Sequence, residues 1–229
     1  SLRDRWFIPA SAGALTLLLL WPMALLFPTP VPLGLGQCWD ELRELARLAL
    51  EDTPWAPAAE SWLRPSSPLH TPLSPATEML CIALGLLAPC LVAFAAMRSR
   101  ARRAVLTLGA LVLALAVSTL STALNFGPEH ALAWLTPTAV PGLTLGLLAA
   151  LACCMLPSRL AAAVGLMVLT AQVVVVAQAP ENAYYAQSLQ AWSQGRFIRF
   201  HGLSRWLGWL WPYAAAAWLL VRVGARDEG

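Results

Sequence analysis

PATEMLCIALGLLAPCLVAFAAMRSRARRAVLTLGALVLALAVSTLSTAL, residues 75–124, holds two long apolar runs separated by a knot of arginines, Arg98, Arg100, Arg102 and Arg103. A bilayer core takes about 20 apolar residues of helix, and each run has that length. Each must also be helical, because a lone strand in lipid leaves its backbone groups unpaired. Outward from this pair, four further stretches meet or nearly meet the same length, at roughly 7–27, 138–156, 160–179 and 207–223. The expected fold is therefore all-α: a polytopic integral membrane bundle of about six transmembrane helices, forming a single membrane domain over residues 1–229. Pro22, Pro89, Pro141 and Pro212 fall within or near the spans and predict kinks or span ends, with neighbouring helices taking up the freed carbonyls.

The composition agrees. The chain is 59% apolar and only 12% charged, against roughly 45–50% and about 25% in soluble domains. All 15 basic residues are arginine, and the net charge of +3 is too small to argue for a nucleic-acid partner. Four of the five cysteines, Cys81, Cys90, Cys153 and Cys154, lie in apolar runs, where Cys behaves as a small hydrophobe. With Cys38 they show no metal-ligand spacing, so neither metal nor cofactor is expected. The first apolar run is too long for a cleavable signal peptide.

Arginines in short loops mark the cytoplasmic side. Arg3 and Arg5 precede the first span, Arg98 to Arg103 join the second to the third, Arg159 joins the fourth to the fifth, and Arg222 and Arg226 close the chain. With six spans all of these share one side, which places both termini in the cytoplasm of a bacterial inner membrane. Arg196, Arg199 and Arg205 then fall on the outer side, against the usual bias.

Two outer segments follow. Residues 28–74 contain an amphipathic helix around 38–52, with Trp39, Leu42, Leu45, Ala46 and Ala49 on one face and Asp40, Arg43, Glu44, Arg47 and Glu51 on the other, a pattern suited to the membrane surface or to capping the bundle. A Pro-rich loop continues it. Residues 180–206 form a loop rich in aromatics and arginine. Within the spans, Ala110, Ala114, Ser118 and Thr122 make a small-residue ridge, and Gly142 with Gly146 makes a GxxxG pair. Both are packing devices in lipid, and they are candidates to face each other.

The spans contain almost no ionisable groups, which argues against an ion pump or a proton-driven transporter. Gln172 is the one clearly polar deep residue, and Glu78 lies near an outer end. Outside the spans, Arg196, Arg199 and His201 are the candidate site for an anionic head group, expected on a short interfacial helix or turn between Gly195 and Gly202. Paired guanidinium forks suit a phosphate, while interfacial aromatics and arginines also serve simply as anchors. Asn125, Glu129 and His130, in the NFGPEH turn, form a secondary polar cluster. No HExxH, GxSxG, Walker loop or CxxC motif is present, and no nucleophile is identified, so an enzyme is unsupported by any motif and stays open only as the alternative reading.

RDRWF leading into an apolar span and then FPTPVPLGLGQ within 2–41, LSTALNFGPEHALAW, and AQSLQAWSQGRFIRFHGLSRWLGWLWPY together resemble the C-terminal membrane region of longer VanZ-like proteins. The N-terminal spans that define that family have no counterpart here. The resemblance implies a role in the bacterial cell envelope and carries over no site residue. The expected function is that of a non-catalytic membrane protein meeting anionic lipid or cell-wall components at its outer face. Its expected partners are membrane lipids and further transmembrane helices. The alternative is a membrane enzyme or carrier acting on a lipid-linked anionic substrate. A polar cavity entering the bundle separates the two.

Overall fold

The computed structural model describes residues 11–27, 29, 31–63, 73–177 and 198–224. They are helical with no strand among them. In chain order the helices are α1 (Ala12–Leu25), α2 (Trp39–Leu50), α3 (Ala56–Leu63), α4 (Pro75–Ala96), α5 (Arg100–Phe126), a 3-10 turn (Pro128–His130), α6 (Ala139–Cys153), α7 (Ser158–Val176) and α8 (Ile198–Gly224). Three regions are long and apolar enough to cross a membrane: Pro75–Ala96, Arg100–Leu124 and Ser158–Val176. They are compatible with a membrane protein. Ala12–Leu25 and Ala139–Cys153 are shorter apolar helices, the second because the chain from Leu132 to Thr138 is spent on turns. α8 runs for 27 residues, but its tryptophans and arginines dilute its hydropathy.

α4 is the centre. Its apolar window is 89% buried, against 17% for that of α5, so α4 is a core helix and α5 a peripheral one. α7, α8, α1, α5 and α6 follow one another around it, each packed on the next except where α4 itself wedges between α6 and α7. Ser74 starts α4 by accepting the Thr77 N–H, with Pro75 in the first turn, where the missing proline N–H costs nothing. Gly142 and Gly146 of α6 lie against Met79, Ile82 and Ala83 of α4. The GxxxG pair therefore faces α4 and not the ridge on α5. Ala110, Ala114 and Thr122 of that ridge are buried in their own right.

Successive long helices alternate in direction, as their ends show. Gly13 at the start of α1 meets the Trp218 ring near the end of α8, and Ser121 near the end of α5 donates to Leu26 O just beyond α1, at 2.9 Å. The expected amphipathic helix is present as α2. Leu42, Leu45 and Leu48 on it are about half exposed, so this face does not pack into the bundle.

Between α1 and α2 the chain dips back among the helices. Val31, Leu33, Leu35 and Cys38 are all buried although the segment is not helical. Irregular backbone is tolerated at membrane depth only when protein satisfies it, and several polar groups here are met by the surrounding helices. Gln172 of α7 donates its amide N–H to Leu33 O at 3.1 Å, while its Oε1 is buried without a hydrogen-bond partner. Pro212 cannot donate to Gly208 O within α8, and the Gly36 N–H fills that vacancy at 2.9 Å. Gly36 has φ +103°, and a Cβ there would lie 3.1 Å from Pro212 Cγ. Tyr213 donates to Gly36 O and accepts from the Cys38 thiol, both at 3.4 Å. On α4, Pro89 likewise cannot donate to Gly85 O, and the space of the missing Gly85 side chain is filled by Leu33. Leu33 holds the left-handed conformation, φ +62°, which costs a residue with a Cβ about 1–3 kcal/mol. Burial and the Gln172 bond hold it there.

Candidate functional site at the arginine-rich end

Where α4 ends, Met97 turns to extended backbone and the last helical carbonyls are left without intrahelical donors. Arg103, in the first turns of α5, supplies them. Its Nη2 donates to Phe94 O at 2.7 Å and Met97 O at 2.8 Å. Its Nη1 donates to Leu156 O at 2.5 Å and Cys154 O at 3.2 Å, past the end of α6. One planar fork thus ties two helix C-termini together, placing a positive charge where the backbone dipoles are negative. The guanidinium also lies 5.5 Å from the Phe94 ring centroid, and only 4% of Arg103 is exposed. Arg222 of α8 joins the same end by donating to Ala95 O at 3.4 Å.

Beside this tie is a partly open cavity of about 290 Å³, lined by Ala95, Met97, Arg98, Arg100, Arg103, Leu156, Pro157 and Ser158. Arg98 and Arg100 are exposed and make no hydrogen bond or ion pair among the described residues. Ser158 opens α7, whose N-cap Pro157 offers no side-chain cap. The lining contains cations, a hydroxyl and the start of a helix, and no carboxylate, imidazole or thiol. Such a lining can hold an anion. The Ser158 hydroxyl has no carboxylate or imidazole beside it in this lining to act as a general base.

At the opposite end the sequence candidates separate. Arg196 lies outside the described residues. Arg199 and His201 fall in the opening turns of α8, with only their backbone described. The helix runs unbroken from Ile198 through Gly202, so this stretch is the start of a long helix and not a separate short one. Arg205, one turn further on, stacks its guanidinium 4.3 Å from the Trp209 ring centroid, an anchoring role.

Asn125 is in the last turn of α5. Glu129 and His130 occupy the 3-10 turn beyond it, their side chains 3.6 Å apart and each more than half exposed, where an ion pair contributes little. Gly127, at φ +96°, lets the Glu129 carboxylate fold over it. Glu78 instead accepts from Thr136 at 3.2 Å, and Thr136 shares a 2.8 Å bond with Thr138, fastening α4 to the entry of α6.

Among the described residues no group of His, Cys, Asp and Glu is placed to hold a metal. No protein-family model, curated protein or solved structure matches this chain.

Proposed function

We propose that this chain is a non-catalytic, VanZ-like membrane protein of the bacterial inner membrane, with six spans, both termini on the cytoplasmic arginine-rich side, and an outer face that meets lipid. The observation that carries the non-catalytic reading is the state of the bundle interior. Gln172, a buried polar side chain between the spans, gives its amide N–H to Leu33 O, and Leu33 and Gly34 of the 31–38 segment lie against α4 and α7 with Gly36 against α7 and α8. A carrier or enzyme working inside the membrane needs polar groups facing a space that substrate can enter. The alternating helix directions and the gathering of Arg98, Arg100, Arg103 and Arg222 at one end support six spans and that orientation. The exposed leucine face of α2 supports a helix lying at the lipid surface. The likeness in sequence is the ground for the envelope placement.

Two measurements test this reading. A phosphatase fused after Gly229 stays inactive, because that enzyme needs export; activity there overturns the orientation. Cys81 and Cys90, both fully buried in α4, resist a water-soluble maleimide applied from either side of the membrane. Labelling of either at the rate of an exposed thiol means that the bundle opens, and the packing reading fails.

A further inference from the structure

We propose that the cavity between the α4–α5 and α6–α7 links binds the phosphate group of an anionic ligand, carried by a phospholipid head group or by free phosphate. The charge of the lining is the first reason. Arg98, Arg100 and Arg103 converge on one hollow with no carboxylate among the lining residues, and like charges gathered without a counter-ion repel. Arg103 cannot be relieved by moving away, because its four carbonyl bonds fix it in place. Its Nε is buried without a hydrogen-bond partner.

The donor geometry is the second reason. Arg98 and Arg100 supply guanidinium forks with no competing partner among the described residues, and such forks match phosphate oxygens bidentately. Ser158 adds a hydroxyl, and the uncapped start of α7 adds backbone N–H groups at the positive end of a helix of 19 residues, the arrangement that receives phosphates elsewhere. Depth is the third. The cavity lies where α4 and α6 end and α5 and α7 begin, the level at which basic pockets between spans meet lipid head groups. The proposal borrows only this last point from the six-span reading, and its test with free phosphate is independent of orientation.

The test uses the full chain purified in uncharged detergent, with thermal unfolding followed by reaction of the buried cysteines with a fluorogenic maleimide. Inorganic phosphate is titrated against sodium chloride of equal ionic strength. In a second arm, phosphatidylglycerol is added to the micelles against equal phosphatidylcholine. The expected result is a saturable rise in midpoint with phosphatidylglycerol, with phosphate, or with both. A rise with both identifies the phosphate group itself as the ligand, and a rise with phosphatidylglycerol alone identifies the lipid. The double variant Arg98→Gln/Arg100→Gln replaces exposed side chains and leaves the Arg103 tie intact, so without ligand it unfolds at or slightly above the midpoint of the parent, as relief of the repulsion requires. Its apparent affinity falls at least tenfold, and Arg98→Lys/Arg100→Lys recovers part of the loss. Three results overturn the site: no rise with either ligand, a rise that sodium chloride reproduces, or equal affinity in the parent and the Gln variant.

Discussion

Arg103→Met removes the fork that joins α4 to α6 while keeping a long apolar side chain in its place. Four charge-assisted hydrogen bonds at about 1.5–3 kcal/mol each give a gross figure near 6–12 kcal/mol, but two effects reduce it. Burying a guanidinium costs several kcal/mol in the parent. In the variant, water entering from the adjacent cavity reaches some of the abandoned carbonyls. Breaking a buried charged contact typically costs about 3–5 kcal/mol net, and the lower end suits a site at the bundle edge. At about 2–4 °C per kcal/mol for a chain of this size, about 3 kcal/mol lowers the unfolding midpoint by roughly 6–12 °C. The assay is the cysteine-reactivity melt, well suited here because Cys90 and Cys154 are buried close to the tie. Arg103→Lys keeps the charge but has no planar fork to span two helix ends, so it falls between Met and the parent. Arg98→Gln, measured without phosphate, shifts the midpoint by less than about 2 °C. If Arg103→Met unfolds within about 2 °C of the parent, the fork is not what holds these ends.

Two further predictions concern the 31–38 segment. Gly85→Ala places a Cβ 2.6 Å from Leu33 O and 2.7 Å from Leu33 Cβ, so the backbone must shift and stability falls by about 1–3 kcal/mol. Gly109→Ala meets nothing within 4 Å and gains about 0.8–1 kcal/mol of helix propensity; midpoints moving in the same direction refute the docking of the segment on α4. Pro212→Ala returns an N–H to α8 that competes with Gly36 for Gly208 O, and in a chain with Cys38 as its only cysteine it speeds maleimide labelling of that thiol several-fold. Unchanged labelling means the segment is held by other contacts.

The apolar runs made the long helices legible because lipid admits so few alternatives, and the arginines of residues 98–103 marked one end of the bundle correctly. What sequence reading missed was that Arg103 differs from its neighbours. The signal was available: extending the Ala110–Ala114 ridge backward by helical steps reaches Thr107 and then Arg103, and all of these are buried. A count of arginines for orientation treats them as equivalent, whereas helical phase turns Arg103 inward and leaves Arg100 exposed, and Arg98 is exposed in the link before the helix. Residues 31–38 escaped for a different reason. Their alternation of Val31, Leu33 and Leu35 is apolar at a period of two, beside prolines that exclude a helix, and neither feature fits a membrane span. Only the three-dimensional fit to Gly85, Gln172 and Gly208 shows where such a segment can go. The prolines were read rightly as tolerated, but the donor to Gly208 O is this loop and not a neighbouring helix.

The same accounting separates the two ends of the bundle by how far apart in sequence their partners lie. Leu33 O finds its donor 139 residues further along the chain, in α7, and the Gly36 N–H finds its acceptor later still, in α8. Apart from these bonds the segment is held by local ones, from Gly34 N–H to Val31 O, Leu35 N–H to Leu33 O and Cys38 N–H to Gly36 O. The packing of the segment therefore depends on α7 and α8, which lie far along the chain. α1 behaves alike, since Trp211 of α8 donates to Leu17 O at 2.7 Å and α8 is its main neighbour. The opposite end is tied over shorter separations, since Arg103 bonds carbonyls 6, 9, 51 and 53 residues away. The arginine end is thus held by contacts closer in sequence than those of the far end, where Leu33 meets a residue 139 positions away.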